Sequence, residues 1–312
     1  MIAVWLFVSI VLVGLVAGGL AFMALAVSTA TPTMSSGVFV KVHQALYRTA
    51  DPVMPIFVVG AFIATAPLAV AFSREDTNIS AGWITSTAAG IAVVIILTRI
   101  GNKPINKTIA RWDALNPPPQ WARERLRFNR FHAWRTVFAL ISFLAVIVVG
   151  VALTASTTTE RVWALASVLV SGLIAGGLAF MYVVVGRAMM TLDADVYVAT
   201  HQATSLTATR YMTPMTLLSV ISAGGLLVES WRAGQSIGAL LAGVALLAAL
   251  GVIVISLAFS VPLNRRIATW DRADPPAEWV QIRARWMRVH RVRTGVALLG
   301  FLVLAAGLIA SL

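Results

Sequence analysis

The chain contains no cysteine among its 312 residues. Disulfide bonds, thiolate metal sites and CxxC redox chemistry are therefore excluded. Charge is also scarce: Asp, Glu, Lys and Arg make up 12% of the residues, about half of the roughly 25% that is usual in soluble domains. Because so little charge cannot cover a surface in contact with water, a soluble globular enzyme is excluded as well.

Long apolar runs take the place of the missing charge. Hydrophobic residues make up 59% of the chain, and the mean hydropathy is +0.87. A membrane-spanning helix needs about 20 mostly apolar residues, and the sequence contains eight such runs. The first has no basic segment before it and is too long for a signal peptide, so we expect it to remain as a helix. The eight predicted spans lie near residues 2–27, 52–73, 81–100, 136–156, 161–186, 211–229, 236–261 and 294–312.

Acidic residues are few, with 12 Asp and Glu against 24 Lys and Arg, a net charge of +12. All but three of the basic residues lie in the loops that precede spans two, four, six and eight, or at the edge of span three. Since cytoplasmic loops are rich in Lys and Arg, these four spans are predicted to run outward, with both termini extracytoplasmic. We expect a protein integral to the cytoplasmic membrane, with cytoplasmic basic loops beside anionic inner-leaflet lipids and no nucleic-acid partner.

An internal duplication organises the whole chain. The heptapeptide AGGLAFM occurs at residues 17–23 and again at 175–181, an offset of 158 that holds without a gap from residue 17 to residue 136. The sequence therefore predicts two domains, residues 1–157 (the first repeat) and 158–312 (the second repeat). Because each repeat has four spans, both insert in the same orientation. The predicted fold is an all-α integral membrane protein whose eight transmembrane helices form two parallel-oriented four-helix bundles.

All four histidines belong to the duplicated segments: His43 and His132 in the first repeat, His201 and His290 in the second. By the predicted topology, each pair lies on the cytoplasmic side of its bundle. Two imidazoles at one depth would ligate a metal ion or haem, or share a proton transfer. The other interpretation is that they are hydrogen-bonding groups at the membrane interface. The sequence has no HExxH motif, no carboxylate-rich di-iron pattern and no Gly-rich phosphate loop.

Two further pairs of polar residues recur beside the histidines. Asn106 and Asn264 each follow a Pro-x step just beyond a span, where a side-chain amide caps the next helix or contacts a substrate. Arg135 and Arg293 lie at the entrances of spans four and eight. Each is predicted either to extend toward the membrane interface or to bind an anionic or oxygen-rich group of a ligand.

Four short motifs recur in the basic loops of both repeats. They are Pro104-Ile105-Asn106, Trp112-Asp113, Pro118 to Trp121 and His132 to Thr136, and then Pro262-Leu263-Asn264, Trp270-Asp271, Pro276 to Trp279 and His290 to Thr294. With these motifs, each half of the chain resembles, almost over its full length, the anthrone oxygenase-like family of small four-span membrane proteins. Members with an assigned role oxidise polycyclic anthrones to anthraquinones with molecular oxygen, without a conventional cofactor. Oxygenase-type members have Asn before the x-x-Arg-Thr step, where this chain has histidine.

The resemblance implies a membrane-embedded oxygenase or oxidoreductase that acts on a lipophilic, anthrone-like aromatic molecule entering from the bilayer. A haem or metal ion, if bound, is expected on the four histidines. The alternative class is a non-enzymatic membrane carrier, a lipid-binding scaffold or a partner subunit, and an oligomer is compatible with either. The catalytic residues that the resemblance implies are Asn106, His132 and Arg135, with Asn264, His290 and Arg293 in the second repeat.

Overall fold

The computed structural model describes residues 1–74 and 78–310, and the regular elements of these residues are all helices. In this part of the chain, eight helical segments are long and apolar enough to cross a membrane, which confirms the predicted all-α membrane fold and its eight spans. The first repeat contains α1 (Ile2–Phe22), α2 (Ser36–Ala50), α3 (Met54–Arg74), α4 (Asn78–Leu97), α5 (Lys103–Ile109) and α6 (Trp121–Thr154). The second contains α7 (Thr158–Phe180), α8 (Arg187–Met189), α9 (Ala194–Arg232), α10 (Ser236–Ile255), α11 (Val261–Ala268) and α12 (Trp279–Ile309).

Within each repeat, the spanning helices pack in a ring. In the first repeat, α1 and α4 each contact both α3 and α6; in the second, α7 and α10 each contact both α9 and α12. The repeats meet mainly along α1 and α7. A continuous apolar core crosses this boundary, where the rings of Phe143 and Phe301 meet edge to face at 6.1 Å. Burial of such rings contributes to the packing between the repeats.

Glycines allow α1 and α7 to approach closely. A Cβ atom at Gly18 would lie 2.6 Å from the carbonyl oxygen of Leu173, and one at Gly176 would lie 2.7 Å from that of Leu15. Leu15 and Leu173 are themselves equivalent by the offset of 158, so the two contacts are reciprocal. Small residues at a helix crossing let backbones pack directly, which is how helices associate in a membrane without a strong hydrophobic driving force.

Four π-helical turns recur at equivalent positions of the two repeats. Met23–Ser28 follows α1 and Met181–Gly186 follows α7, while Thr98–Asn102 and Ser256–Ser260 follow α4 and α10. A short 3-10 turn, Thr31–Thr33, follows the first of them. π-helical turns are rare in proteins, and those that occur often lie at functional sites. In this protein they lie at the same end of the helices as the histidines, next to the cavities described below.

The repeats differ at the helical segment that precedes the second span of each repeat. In the first repeat, the turn at Asp51, Pro52 and Val53 separates α2 from α3. Proline lacks a backbone N–H and disfavours helix in the residue before it, which explains the break. The equivalent of Pro52 is Arg210, and the chain there continues as the single 39-residue helix α9. The sixth predicted span is therefore the second half of a longer helix.

Candidate functional site

Each repeat encloses a cavity at the end of its bundle that carries the histidines. The first cavity has a volume of about 170 Å³ and the second about 300 Å³. The structure brings all eight predicted site residues to these two cavities, four to each. The first cavity is lined by His43, Asn106, His132 and Arg135, and the second by His201, Asn264, His290 and Arg293.

His43 on α2 is held by Asn106 on α5. The Nε2 atom of His43 donates to the side-chain oxygen of Asn106 over 2.9 Å, which leaves Nδ1 as the unprotonated nitrogen. Among the described residues, the bond to Asn106 is the one hydrogen bond of the His43 ring, so Nδ1 is free. Burial lowers the pKa of His43 to about 4, against the opposing effect of the Asn106 hydrogen bond. The imidazole is therefore neutral near neutral pH, with a free lone pair beside the cavity.

Equivalent glutamine hydrogen bonds in the two repeats position the short helix that carries each asparagine. The Gln44 side-chain amide donates to the carbonyl oxygens of Ile109 and Trp112 over 3.1 and 2.9 Å. These bonds fix the end of α5 against α2. Gln202 makes the equivalent bonds to Ile267 and Trp270 and fixes α11 against α9.

His132 on α6 has both ring nitrogens engaged. Its Nε2 atom lies 3.1 Å from the carbonyl oxygen of Leu20, which only accepts hydrogen bonds, so Nε2 carries the proton. Nδ1 then accepts from Nη2 of Arg135 over 2.6 Å. Arg135 also donates to Oγ1 of Thr98, in a π-helical turn, over 2.9 Å. The side chain of Arg135 is therefore held against the turn after α4 and against His132 at the cavity wall, and His132 has no free lone pair.

The second repeat reproduces this network with small changes. Arg293 donates to His290 Nδ1 over 3.2 Å and to the hydroxyl of Ser256, the equivalent of Thr98, over 3.2 Å. The carbonyl of Leu178 accepts from Thr294 over 3.1 Å. His201 is buried, and its Nδ1 atom has no hydrogen-bond partner among the described residues.

An aromatic ring contacts both histidines of each pair, and the sequence analysis missed it. In the first cavity, the ring centroid of Phe128 lies 4.8 Å from that of His43 and 5.9 Å from that of His132. In the second, Trp286 lies 5.4 Å from His201 and 4.0 Å from His290. The indole N–H of Trp286 donates to Asn264 over 3.1 Å. The signal for this pair was in the sequence, since both aromatics precede the second histidine of their repeat by four residues.

The donor set of the first repeat does not fit a metal ion or haem held by its histidine pair. Both nitrogens of His132 are engaged, a guanidinium group lies against it, and Phe128 contacts both imidazoles. Among residues 1–74 and 78–310, no three His, Asp or Glu side chains lie close enough together to hold a metal ion. The geometry suits hydrogen bonding and proton transfer.

Each cavity is completed by the other repeat. Phe180 of the second repeat lines the first cavity, and its equivalent Phe22 lines the second cavity. The hydroxyl of Thr207 donates to the carbonyl of Ala26 over 2.6 Å, and the equivalent Thr49 donates to that of Val184 over 3.2 Å. The cavity walls therefore depend on the association of the two repeats.

A family model described as Anthrone oxygenase matches residues 43–145 and 202–303, one segment in each repeat and together more than half of the chain. The two segments are consistent with a tandem duplication of one domain. No curated protein and no solved structure matches the chain.

Proposed function

Since the chain belongs to the anthrone oxygenase family, we propose that it is a membrane-embedded oxygenase that oxidises lipophilic, anthrone-like polycyclic aromatics. The observation that carries the proposal is a neutral, buried histidine with a free ring nitrogen in each mostly apolar cavity. His43 Nδ1 takes this role in the first cavity, and His201, which lines the second cavity at the equivalent position, takes it there. A base in that position suits the one proton transfer that the reaction needs from the protein.

The chemistry is balanced with molecular oxygen as the oxidant. The histidine removes a proton from the ring carbon opposite the anthrone carbonyl, and the resulting enolate carries the electron pair that reacts with oxygen. A carbon–oxygen bond forms at that carbon and gives a hydroperoxide. Loss of water from the hydroperoxide leaves the second carbonyl, so one anthrone and one oxygen molecule become one anthraquinone and one water.

The remaining residues position groups and stabilise charge. Asn106 holds His43 in the tautomer whose Nδ1 accepts a proton. Arg135, itself held by His132 and Thr98, supplies a fixed positive charge on the cavity wall for the developing enolate oxygen. His132 is a positioning residue in this scheme. Asn264, His290 and Arg293 take the corresponding roles in the second cavity.

The membrane setting of the proposal follows from the eight spans and the position of the basic residues. We place the protein in the cytoplasmic membrane, with both termini outside and the basic loops inside, next to anionic lipids. A lipophilic substrate then reaches either cavity from the bilayer. Whether the chain forms a higher oligomer has no bearing on the sites, because each cavity is completed within the chain.

The test uses the full chain in lipid nanodiscs, with oxygen uptake and anthraquinone absorbance recorded after an anthrone is added. Empty nanodiscs correct for spontaneous oxidation. We expect catalysed oxidation by the native chain and a loss of about 10²- to 10⁴-fold when His43→Gln and His201→Gln are combined. Binding of the anthrone without any turnover by the native chain would contradict the proposal and favour a carrier.

A matched pair of asparagine variants provides the control. Asn116 lies exposed in the loop after α5, away from the cavity, whereas Asn106 contacts His43. Asn106→Ala is expected to slow oxidation, because the His43 tautomer is no longer fixed. Asn116→Ala is expected to leave the rate at the native level. Equal effects of both changes would remove Asn106 from the proposed site.

A further inference from the structure

The two cavities differ in charge at their mouths, although the walls behind the mouths are equivalent. The apolar residues Val94 and Ile95 of the first cavity correspond to Val252 and Ile253 of the second. The residues at the cavity mouths, in contrast, differ in charge. At three equivalent positions the first cavity has Arg99, Lys103 and Asp51, and the second has Leu257, Val261 and Thr209.

The acidic residue of the charged mouth lies at the helix break in the first repeat. Asp51 lies in the turn between α2 and α3, directly before Pro52. Its Oδ1 atom lies 3.7 Å from Nζ of Lys103, and the two side chains are 43% and 33% exposed. Lys103 is therefore held at the cavity entrance and partly shielded from solvent, where its charge acts more strongly than on an open surface.

The balance of charge favours an anion in the first cavity. Arg99, Lys103 and Arg135 line it with a single carboxylate, that of Asp51, whereas Arg293 is the sole charged lining residue recorded for the second cavity in the described part of the chain. Arg293 already donates to His290 and Ser256. An anion beside Leu257 and Val261 would lose its hydration without gaining a partner, which is costly.

We propose that the first cavity binds planar apolar molecules that carry an anionic group, with the charge at Lys103 and Arg99. The second cavity, which is larger and has hydroxyl groups at its mouth, binds neutral molecules of the same kind. The planar apolar part of the ligand rests on the proposed function. The difference in charge rests on the mouth residues alone, so the duplicated chain has two sites of different specificity.

The experiment measures equilibrium binding without oxygen, so that turnover plays no part. The full chain in zwitterionic nanodiscs is titrated with two fluorescent probes, anthracene carboxylate and methylanthracene. One variant gives the first mouth the residues of the second (Arg99→Leu, Lys103→Val and Asp51→Thr). A reciprocal variant gives the second mouth the residues of the first (Leu257→Arg, Val261→Lys and Thr209→Asp).

The native chain is expected to bind the anionic probe at one site and the neutral probe at both. The first variant should weaken anionic binding about tenfold or more, and the reciprocal variant should add a second anionic site. Binding of the neutral probe within about threefold of the native value shows that each variant is folded. Unchanged anionic binding in the first variant, or no added site in the reciprocal one, would overturn the proposal.

A second arm identifies the source of the anion. Phosphatidylglycerol is added to the bilayer: loss of the anionic probe from the native site assigns that site to a lipid headgroup, and retention assigns it to a free aromatic acid. Both results keep an anion at Lys103. Failure of the proposed function is a separate result, since it appears as an absence of oxygen uptake while the binding difference between the mouths is still measured.

Discussion

Arg135 Nη2 lies 2.6 Å from His132 Nδ1, and this contact sets the roles of both residues. The Leu20 carbonyl engages the other nitrogen of His132, so the imidazole joins α1 to Arg135 and has no lone pair left for a substrate or metal. The free ring nitrogen of the first cavity is Nδ1 of His43. The two histidines of one repeat therefore differ in function, one proposed to accept a proton and the other to position a cation.

His132→Ala should slow oxidation by about tenfold or more, because Arg135 loses the contact that fixes its charge beside the cavity. It should also lower the free energy of unfolding by about 1–3 kcal/mol, because the buried Arg135 guanidinium loses an acceptor, whereas Thr136 still donates to the Leu20 carbonyl. His132→Asn, which offers both a donor and an acceptor, should restore much of the rate. The measurements are oxygen uptake and thermal unfolding in detergent. Equal rates with His, Ala and Asn at position 132 would exclude a positioning role for His132.

The pH dependence of oxidation tests whether His43 is the base. In a His201→Gln background, only the first cavity retains its proposed base. Since His43 must be neutral to accept a proton and its pKa is about 4, the rate should stay level as the pH falls from about 7 to about 5. It should then drop through about pH 4. A drop centred near the ordinary histidine value of 6.5 would show that a different or exposed group is titrating.

The same burial makes stability depend on pH. Between about pH 6.5 and about pH 4, the unfolded chain binds a proton at His43 that the folded chain does not. The contribution of His43 to the free energy of unfolding is therefore greatest above pH 6.5. It falls by about 3 kcal/mol in total as the pH decreases to about 4. His43→Gln should reduce the decline of the unfolding temperature over this range. An identical decline in the native chain and the variant would contradict the buried, neutral state of His43.

Gly18→Ala should weaken the association of the repeats. The new Cβ would meet the Leu173 carbonyl at 2.6 Å, and such overpacking costs about 1–3 kcal/mol. The matched control is Gly224→Ala in α9, where a Cβ meets nothing within 4 Å and the better helix propensity of alanine adds up to about 1 kcal/mol. Thermal unfolding of the two variants should shift in opposite directions. A shift in the same direction would argue against direct backbone contact between α1 and α7.

Phe180→Ala should alter the first cavity although the residue belongs to the second repeat. Its side chain lines that cavity, so its removal is expected to raise the KM of a chain whose second base is replaced by His201→Gln. Phe22 lines the second cavity, so Phe22→Ala should leave that KM near its starting value. If the two substitutions have the same effect in this background, the claim that each repeat contributes a phenylalanine to the cavity of the other is wrong.

The missing cysteines make the predicted topology easy to test. Lys107→Cys introduces one thiol in a basic loop, and Ser156→Cys introduces one in the connection between the repeats, with no background labelling. A membrane-impermeant maleimide applied to intact cells should label position 156, and position 107 only after the cells are opened. The reverse pattern would invert the proposed orientation.

Much of the fold was predictable because long apolar runs and a gap-free repeat are strong signals. The eight spans are confirmed, and so is the family. Pro52 also accounts for the break between α2 and α3. The sequence did not predict that α9 begins at Ala194, since residues 194–210 are too polar to be recognised as part of a span. Tertiary packing buries that polar segment and extends the helix.

The composition of the sites was predictable, and their internal geometry was not. The four histidines, two asparagines and two arginines were found from the repeat, and the structure places them at two cavities. Their hydrogen bonds depend on groups that no motif marks, such as the backbone carbonyl of Leu20 and the hydroxyl of Thr98. Phe180 was also out of reach, because its contact with the first cavity arises only when the repeats associate.

The most direct test of the account is the rate of oxygen uptake by the purified chain in nanodiscs with an anthrone, compared with that of the His43→Gln and His201→Gln double variant. The account predicts formation of one anthraquinone for each oxygen consumed and loss of the catalysed rate in the double variant. An equal catalysed rate in the double variant, with the protein folded, would contradict it.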